Sequence, residues 1–124
     1  MCANVAILPS EIAIVRYLNK IGIKERTQLL KDLICISNNL YNIHNILIPF
    51  DLGVYNYGAD VRYSSESFER DLSFLISAGI ISQSEGSIKY DITDYGRSII
   101  NEKYFNNTPE DILLKLDEEV DCLE

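Results

Sequence analysis

The residue types able to do chemistry are sparse in this chain, and their spacing favours recognition over catalysis. Cys2, Cys35 and Cys122 form no close pair, which argues against both a disulfide framework and a thiolate metal site. Cys35 sits among Leu33, Ile34 and Ile36 and reads as a small core residue. The single histidine, His44, has no carboxylate or cysteine at ligand spacing and reads as a surface or loop residue. There is no phosphate-binding Gly loop and no Ser or Cys nucleophile with a plausible base. The expectation is a chain with no catalytic residues, no metal ligands and no cofactor.

What remains are bases, hydroxyls and an aromatic that suit hydrogen bonding to phosphates and base edges. Arg62, Tyr63, Ser64, Ser65, Arg70 and Ser73 form the main group, with Lys89 and Arg26 beside it. Arginine reaches phosphate or guanine, and the hydroxyls add neutral contacts. Glu66, Glu69 and Asp71 work against such a surface, and so does Glu85. Lys20, Lys24, Arg26 and Lys31 cluster where a backbone contact would be sensible, although solubilising charge explains them equally well.

The elements that must position these residues follow from periodicity. Pro9-Ser10-Glu11 opens a first helix whose stripe Ile12, Ile14, Val15 and Leu18 ends at Gly22. A second spans about 25–39, with Leu29, Leu30, Leu33, Ile34 and Leu40 inward. Residues 46–57 alternate as a short strand expected to pair with a later hairpin, and 58–63 read as a loop. The third helix, about 64–78, turns Phe68, Leu72, Leu75 and Ile76 to one face and stops at Gly79, a residue suited to the left-handed backbone that ends helices. Ile80 to Ser82 and Ile88 to Thr93 flank a Glu85-Gly86 pair, which predicts a hairpin. A fourth helix opens at Thr93 or Asp94 and runs to about Tyr104. Helix, hairpin, helix is the back half of a winged helix-turn-helix, so the expected fold is α+β, mostly helical, with a β-hairpin wing and an extra C-terminal helix.

That last helix starts at Thr108-Pro109-Glu110-Asp111, which supplies an N-cap, a first-position proline and early carboxylates. Leu113, Leu116, Val120 and Leu123 follow at spacings of 3, 4 and 3, an a/d pattern. Packing on the same domain and pairing with a second subunit are both open; a homodimer with these four residues as dimerisation contacts is the favoured expectation. The division is thus 1–107 for the winged helix-turn-helix and 108–124 for an acidic helix. Residues 108–124 carry seven acids and one base, six of the eight net negative charges. The rest is nearly neutral, so a net charge of −8 leaves room for a local basic surface.

At 124 residues the chain fits one domain. No apolar run approaches the roughly 20 residues a membrane span needs, and Met1-Cys2-Ala3-Asn4 lacks the basic flank of a leader, so a cytoplasmic protein without a membrane partner is expected.

Three segments together resemble the YwgA-like group of small winged-helix proteins. They are Gly22 to Lys31 with its Arg26-Thr27-Gln28-Leu29-Leu30-Lys31 run, the aromatic stretch Phe50 to Ser64 with Tyr55, Tyr57 and Gly58, and Asp71 to Gly96. The third ends in Tyr90-x-Ile92-Thr93-x-x-Gly96, a pattern shared with MarR-like winged helices. Where the group has a short Pro-aromatic-Ser turn, this chain has the longer Ala59 to Ser64. The resemblance implies the fold more than the function. Two functions are expected in order: a DNA-binding transcriptional regulator with the third helix in the major groove, or a protein-interaction module, accessory or antitoxin-like, whose acidic surface binds a basic partner.

Overall fold

Apolar periodicity sets the helices, and short ladders between distant segments hold them in place. The computed structural model describes residues 6–49, 53–57, 60–64, 66–84, 88–100 and 108–123, with 53–57 and 60–64 described by backbone alone. In chain order the elements are β1 (Ala6–Ile7), α1 (Ser10–Ile21), β2 (Lys24–Glu25), α2 (Arg26–His44), β3 (Ile46–Leu47), β4 (Gly53–Tyr57), β5 (Asp60–Ser64), α3 (Glu66–Ser77), β6 (Ile81–Gln83), β7 (Lys89–Ile92), α4 (Asp94–Ile99) and α5 (Glu110–Asp121). The fold is α+β and mostly helical, with a three-stranded antiparallel sheet of order β2-β7-β6 and two smaller strand pairs, β1-β3 and β4-β5. No described helix is long and apolar enough to cross a membrane.

Helix α1 is the centre of the core. Ile12, Ala13, Ile14, Val15, Tyr17 and Leu18 are all buried, because α3, α5 and β7 each pack against it. A helix covered on several sides loses the one-faced pattern of a surface helix. Tyr17 is wholly buried, and its hydroxyl donates to Asp32 of α2, whose other carboxylate oxygen accepts from Gln28 at 2.7 Å. Burial, then this hydrogen bond and the charge of Asp32, push the Tyr17 phenol far above its usual range. Gly22, at φ 92, ends α1 with its N–H on the Leu18 carbonyl.

Helix α2 continues to His44, past the Ser37-Asn38-Asn39 stretch where propensity weakens, and closes at Asn45 with φ 58. Buried Leu40 explains the extension, since tertiary packing outweighs propensity differences of a few tenths of a kcal/mol. Its buried residues are Leu29, Leu30, Leu33, Ile36 and Leu40, while Ile34, expected inward, is partly buried beside them. Cys35 is not among them and is exposed, which corrects its reading as a core residue. His44 is the last residue of the helix and is partly exposed.

The segment between α2 and α3 also departs from expectation. The extended stretch does not join the later hairpin: β3 pairs in parallel with β1, Ala6↔Ile46 and Ile7↔Leu47, and β4 pairs with β5 from Gly53↔Ser64 to Tyr57↔Asp60. Residues 60–63, read as loop, are therefore strand. Neighbouring strands close a short loop at low entropic cost, and this local pairing outcompetes the distant one. The later hairpin forms as read, with Ile81↔Ile92 and Gln83↔Tyr90, and gains β2 as a third strand through Lys24↔Tyr90 and Glu25↔Lys89.

The C-terminal stripe packs inward. Leu116 and Val120 are fully buried, Leu113 is 9% exposed and Leu123 lies against the same cluster. Helix α5 lies on α1 and α2 of its own chain, so the four residues expected to form a subunit contact are occupied by the core. The a/d spacing is the same for either partner, which is why sequence alone left both open. Arg16 of α1 donates from Nη2 at 2.7 Å and from Nε at 3.3 Å to the two carboxylate oxygens of Asp117, and Lys20 meets Asp121 at 3.0 Å. Two acids of the tail thereby neutralise two bases of α1.

Candidate nucleic-acid interface

Helix α3 is built as the periodicity predicts. Phe68, Leu72 and Leu75 are buried, and the opposite face exposes Glu66, Arg70, Ser73, Phe74 and Ser77. Gly79 takes φ 77, and its N–H bonds to the Ile76 carbonyl while Ile80 N–H returns to Leu75, ending the helix and turning the chain into β6. Thr93 then binds the end of this turn to α4. Its N–H donates to the Ile80 carbonyl at 2.9 Å, its hydroxyl donates to the Gly79 carbonyl at 2.6 Å, and the same Oγ1 accepts from Gly96 N–H at 2.9 Å. A Cβ added to Gly96 would collide with the Ile80 carbonyl oxygen. The Tyr90-x-Ile92-Thr93-x-x-Gly96 pattern is thus a joint that fixes α3 to the hairpin and α4, rather than a contact with a ligand.

Helix α3 is also tied to α1. Ser10, the first residue of α1, donates its hydroxyl to Asp71. Burial raises the Asp71 carboxyl above its usual range, with the Glu11 charge adding to the rise and the Ser10 hydrogen bond and Arg70 opposing it. Asp71, counted among the residues unfavourable to a phosphate, is therefore engaged with Ser10 of α1 and partly buried.

The predicted contact residues divide into four groups. Arg70 and Ser73 lie exposed on α3, and among the described residues Arg70 has no carboxylate at ion-pair distance. Lys89 is exposed at the start of β7, opposite Glu25. With Ile23, Lys24, Glu25 and Gln28 it lines a shallow groove of about 350 Å³ between the sheet edge and the first turn of α2. Arg62, Tyr63 and Ser64 lie on β5, and Ser65, like the hairpin tip with Glu85, lies outside the described residues. Ser64 is therefore a strand residue, and α3 begins at Glu66 rather than at about 64.

Arg26 stands apart, because three elements meet at it. It is the first residue of α2, its backbone N–H donates to the Ile88 carbonyl at 2.9 Å just before β7, and its guanidinium forms an ion pair with Glu69 of α3. Both side chains are about two-fifths exposed, 41% and 44%. The contacting Oε1 of Glu69 is covered by the Arg26 guanidinium itself, which is its counter-charge.

Sequence reasoning missed this pair. Arg26 and Glu69 are 43 positions apart and carry no shared motif. It also left Phe74 unplaced, although its position opposite Phe68 and Leu72 was a signal that it lies outside: it is 51% exposed in the middle of the α3 face. Among the described residues no group of three or more His, Cys, Asp or Glu is placed to hold a metal ion. No family model, no curated protein and no solved structure matches this chain.

Proposed function

We propose that this chain is a winged helix-turn-helix DNA-binding regulator, with α3 entering the major groove and the β6–β7 hairpin as its wing. The observation that carries this reading is the exposed, largely polar face of α3, running directly into the hairpin whose sheet is completed by β2. Helix order and sheet order agree with that architecture, and an outward helix beside a hairpin is the arrangement by which one element reads base edges while its neighbours hold the backbone. The connection between α2 and α3 carries its own strand pair, β4-β5, so this is an elaborated form of the motif.

Arg70 and Ser73 are the base-reading candidates on the helix, Arg62, Tyr63, Ser64 and Ser65 precede it, and Lys89 with Lys24 serves the backbone. Fragments selected from sheared genomic DNA, titrated by anisotropy at two salt concentrations, test this. Sequence-selective binding that weakens with salt is expected, and the double reversal Arg62→Glu, Arg70→Glu is expected to weaken it by at least about tenfold, on the order of one good contact. Binding indifferent to that reversal overturns the placement.

A second reading, a protein-interaction module for a basic partner, draws on Phe74 in the middle of the α3 face and on Glu110, Asp111 and Glu118, which are exposed on α5. Because α5 is part of the core, neutralising those three acids is the proper probe, not deletion of the helix. Capture of a stoichiometric basic partner that is lost on neutralisation, together with no DNA enrichment at low salt, would favour it.

A further inference from the structure

The ion pair between Arg26 and Glu69 has a use beyond holding α2 to α3. We propose that Glu69 is an internal competitor for phosphate, occupying the Arg26 guanidinium and thereby withholding one backbone contact from DNA; this rests on the DNA-binding reading. Three observations carry it. Arg26 lies where α2, the sheet and α3 converge, with its backbone fixed by the Ile88 carbonyl, so its side chain is held at the surface that a duplex following α3 would meet. Its guanidinium already faces a carboxylate, an anionic oxygen acceptor of the kind a phosphate also offers to arginine. Both groups remain about two-fifths exposed, at 41% and 44%, so the pair is open to exchange rather than locked inside the protein.

Glu69 thus subtracts from sequence-independent affinity without touching the residues that would read bases. In a chain whose proposed interface offers few other bases, namely Arg62, Arg70, Lys89 and Lys24, removing one phosphate contact is a large proportional change. The effect is on affinity rather than discrimination, because a backbone contact strengthens binding to every sequence alike.

The test needs no operator. A duplex of random sequence, labelled for anisotropy, is titrated with the full chain between 50 and 200 mM salt. Each phosphate contact changes log K by roughly 0.9 per decade of salt, or about 3.5-fold over that range. Glu69→Gln is expected to bind more tightly at low salt, and to lose about 3.5-fold more affinity than wild type across the range. The double variant Arg26→Gln, Glu69→Gln is expected to return to the wild-type slope. Far-UV circular dichroism and a thermal melt check that each variant is folded.

An unchanged slope for a folded Glu69→Gln overturns the proposal, as does a double variant that keeps the steeper slope. A wild-type slope that becomes shallower by about one contact in Arg26→Gln also overturns it, because Arg26 would then already hold a phosphate. If wild type binds while Glu69→Gln does not differ from it, this inference alone falls. If no variant binds the duplex at 50 mM salt, the DNA-binding reading falls and takes this one with it.

Discussion

Helices α3 and α5 are both 12 residues long, both begin with two acids in the first turn and both carry a buried apolar stripe, yet they are held in opposite ways. Helix α5 is fixed to the body on two sides: Leu116 and Val120 sit in the core, and Asp117 and Asp121 meet Arg16 and Lys20. Helix α3 is held from beneath and at its C-terminal end, by Phe68, Leu72 and Leu75, by Ser10 on Asp71 at mid-helix, and by the Gly79–Thr93 joint. Its outer face is left open. Similar amphipathic segments therefore do different work, and what separates them is where their charges find partners. On α5 the acids answer bases of α1, which makes the helix a structural part. On α3 one acid is engaged by Ser10, one is matched by Arg26, and Arg70, Ser73 and Phe74 are displayed.

Hollowing out α5 tests whether it is a structural part. Leu116→Ala is expected to lower unfolding free energy by about 2–5 kcal/mol, the range for truncating a buried leucine, read by chemical denaturation. A subunit-pairing role for α5 would instead leave monomer stability intact and lower the fraction of dimer in sedimentation.

A smaller effect tests how α3 is anchored. Because burial raises the Asp71 carboxyl, the folded chain holds that proton more tightly than the unfolded chain. The contribution of Asp71 to stability is then most favourable below the ordinary aspartate range, near pH 3.9, and declines as pH rises through the raised value. Asp71→Asn keeps an acceptor for Ser10 and removes the titration. Stability measured against pH is expected to show wild type losing ground to Asp71→Asn on the way up through that window; a difference of opposite slope would mean that the carboxylate is held as an anion.

The smallest expected effect concerns the open face. Phe74→Ser is expected to change stability by no more than about 0.5 kcal/mol, as for surface positions generally, and a loss of several times that amount in a thermal melt would show that Phe74 is packed after all.

The comparison also explains what was legible in the sequence. Residues 66–96 could be read from local signals: the spacing of Phe68, Leu72 and Leu75, a glycine where the chain needs φ 77, and the Thr93 and Gly96 pair at the start of α4. Each acts over a few residues, so periodicity and turn chemistry capture it. Residues 45–64 could not be read that way. Within that stretch β3 has only two residues, too few to show alternation, and its partner β1 lies 40 positions away, while reading 58–63 as a loop hid the local pairing of β4 with β5. The contact residues were legible as types but not as partners. Nothing in the Arg26-Thr27-Gln28 run announces that its first member meets Glu69, and nothing in the 113–123 stripe says whose core it fills.

The parallel pairing of β1 with β3 has a consequence for the order of assembly. It joins Ala6 to Ile46, 40 positions on, through just two residue pairs and the bonds Ala6 N–H to Asn45 and Leu8 N–H to Leu47. Closing a loop of that length costs several times the thermal energy, and two pairs of residues return little of it. The ladder therefore gains from forming once α1 and α2 are already held in place, by α5 packed on both and by the Tyr17 hydroxyl on Asp32. Strand β1 is thus expected to release before the helices it latches. In native-state amide exchange, Ala6 and Leu8 should surrender their protons well ahead of Leu18 and Leu33, which report the opening of the whole fold.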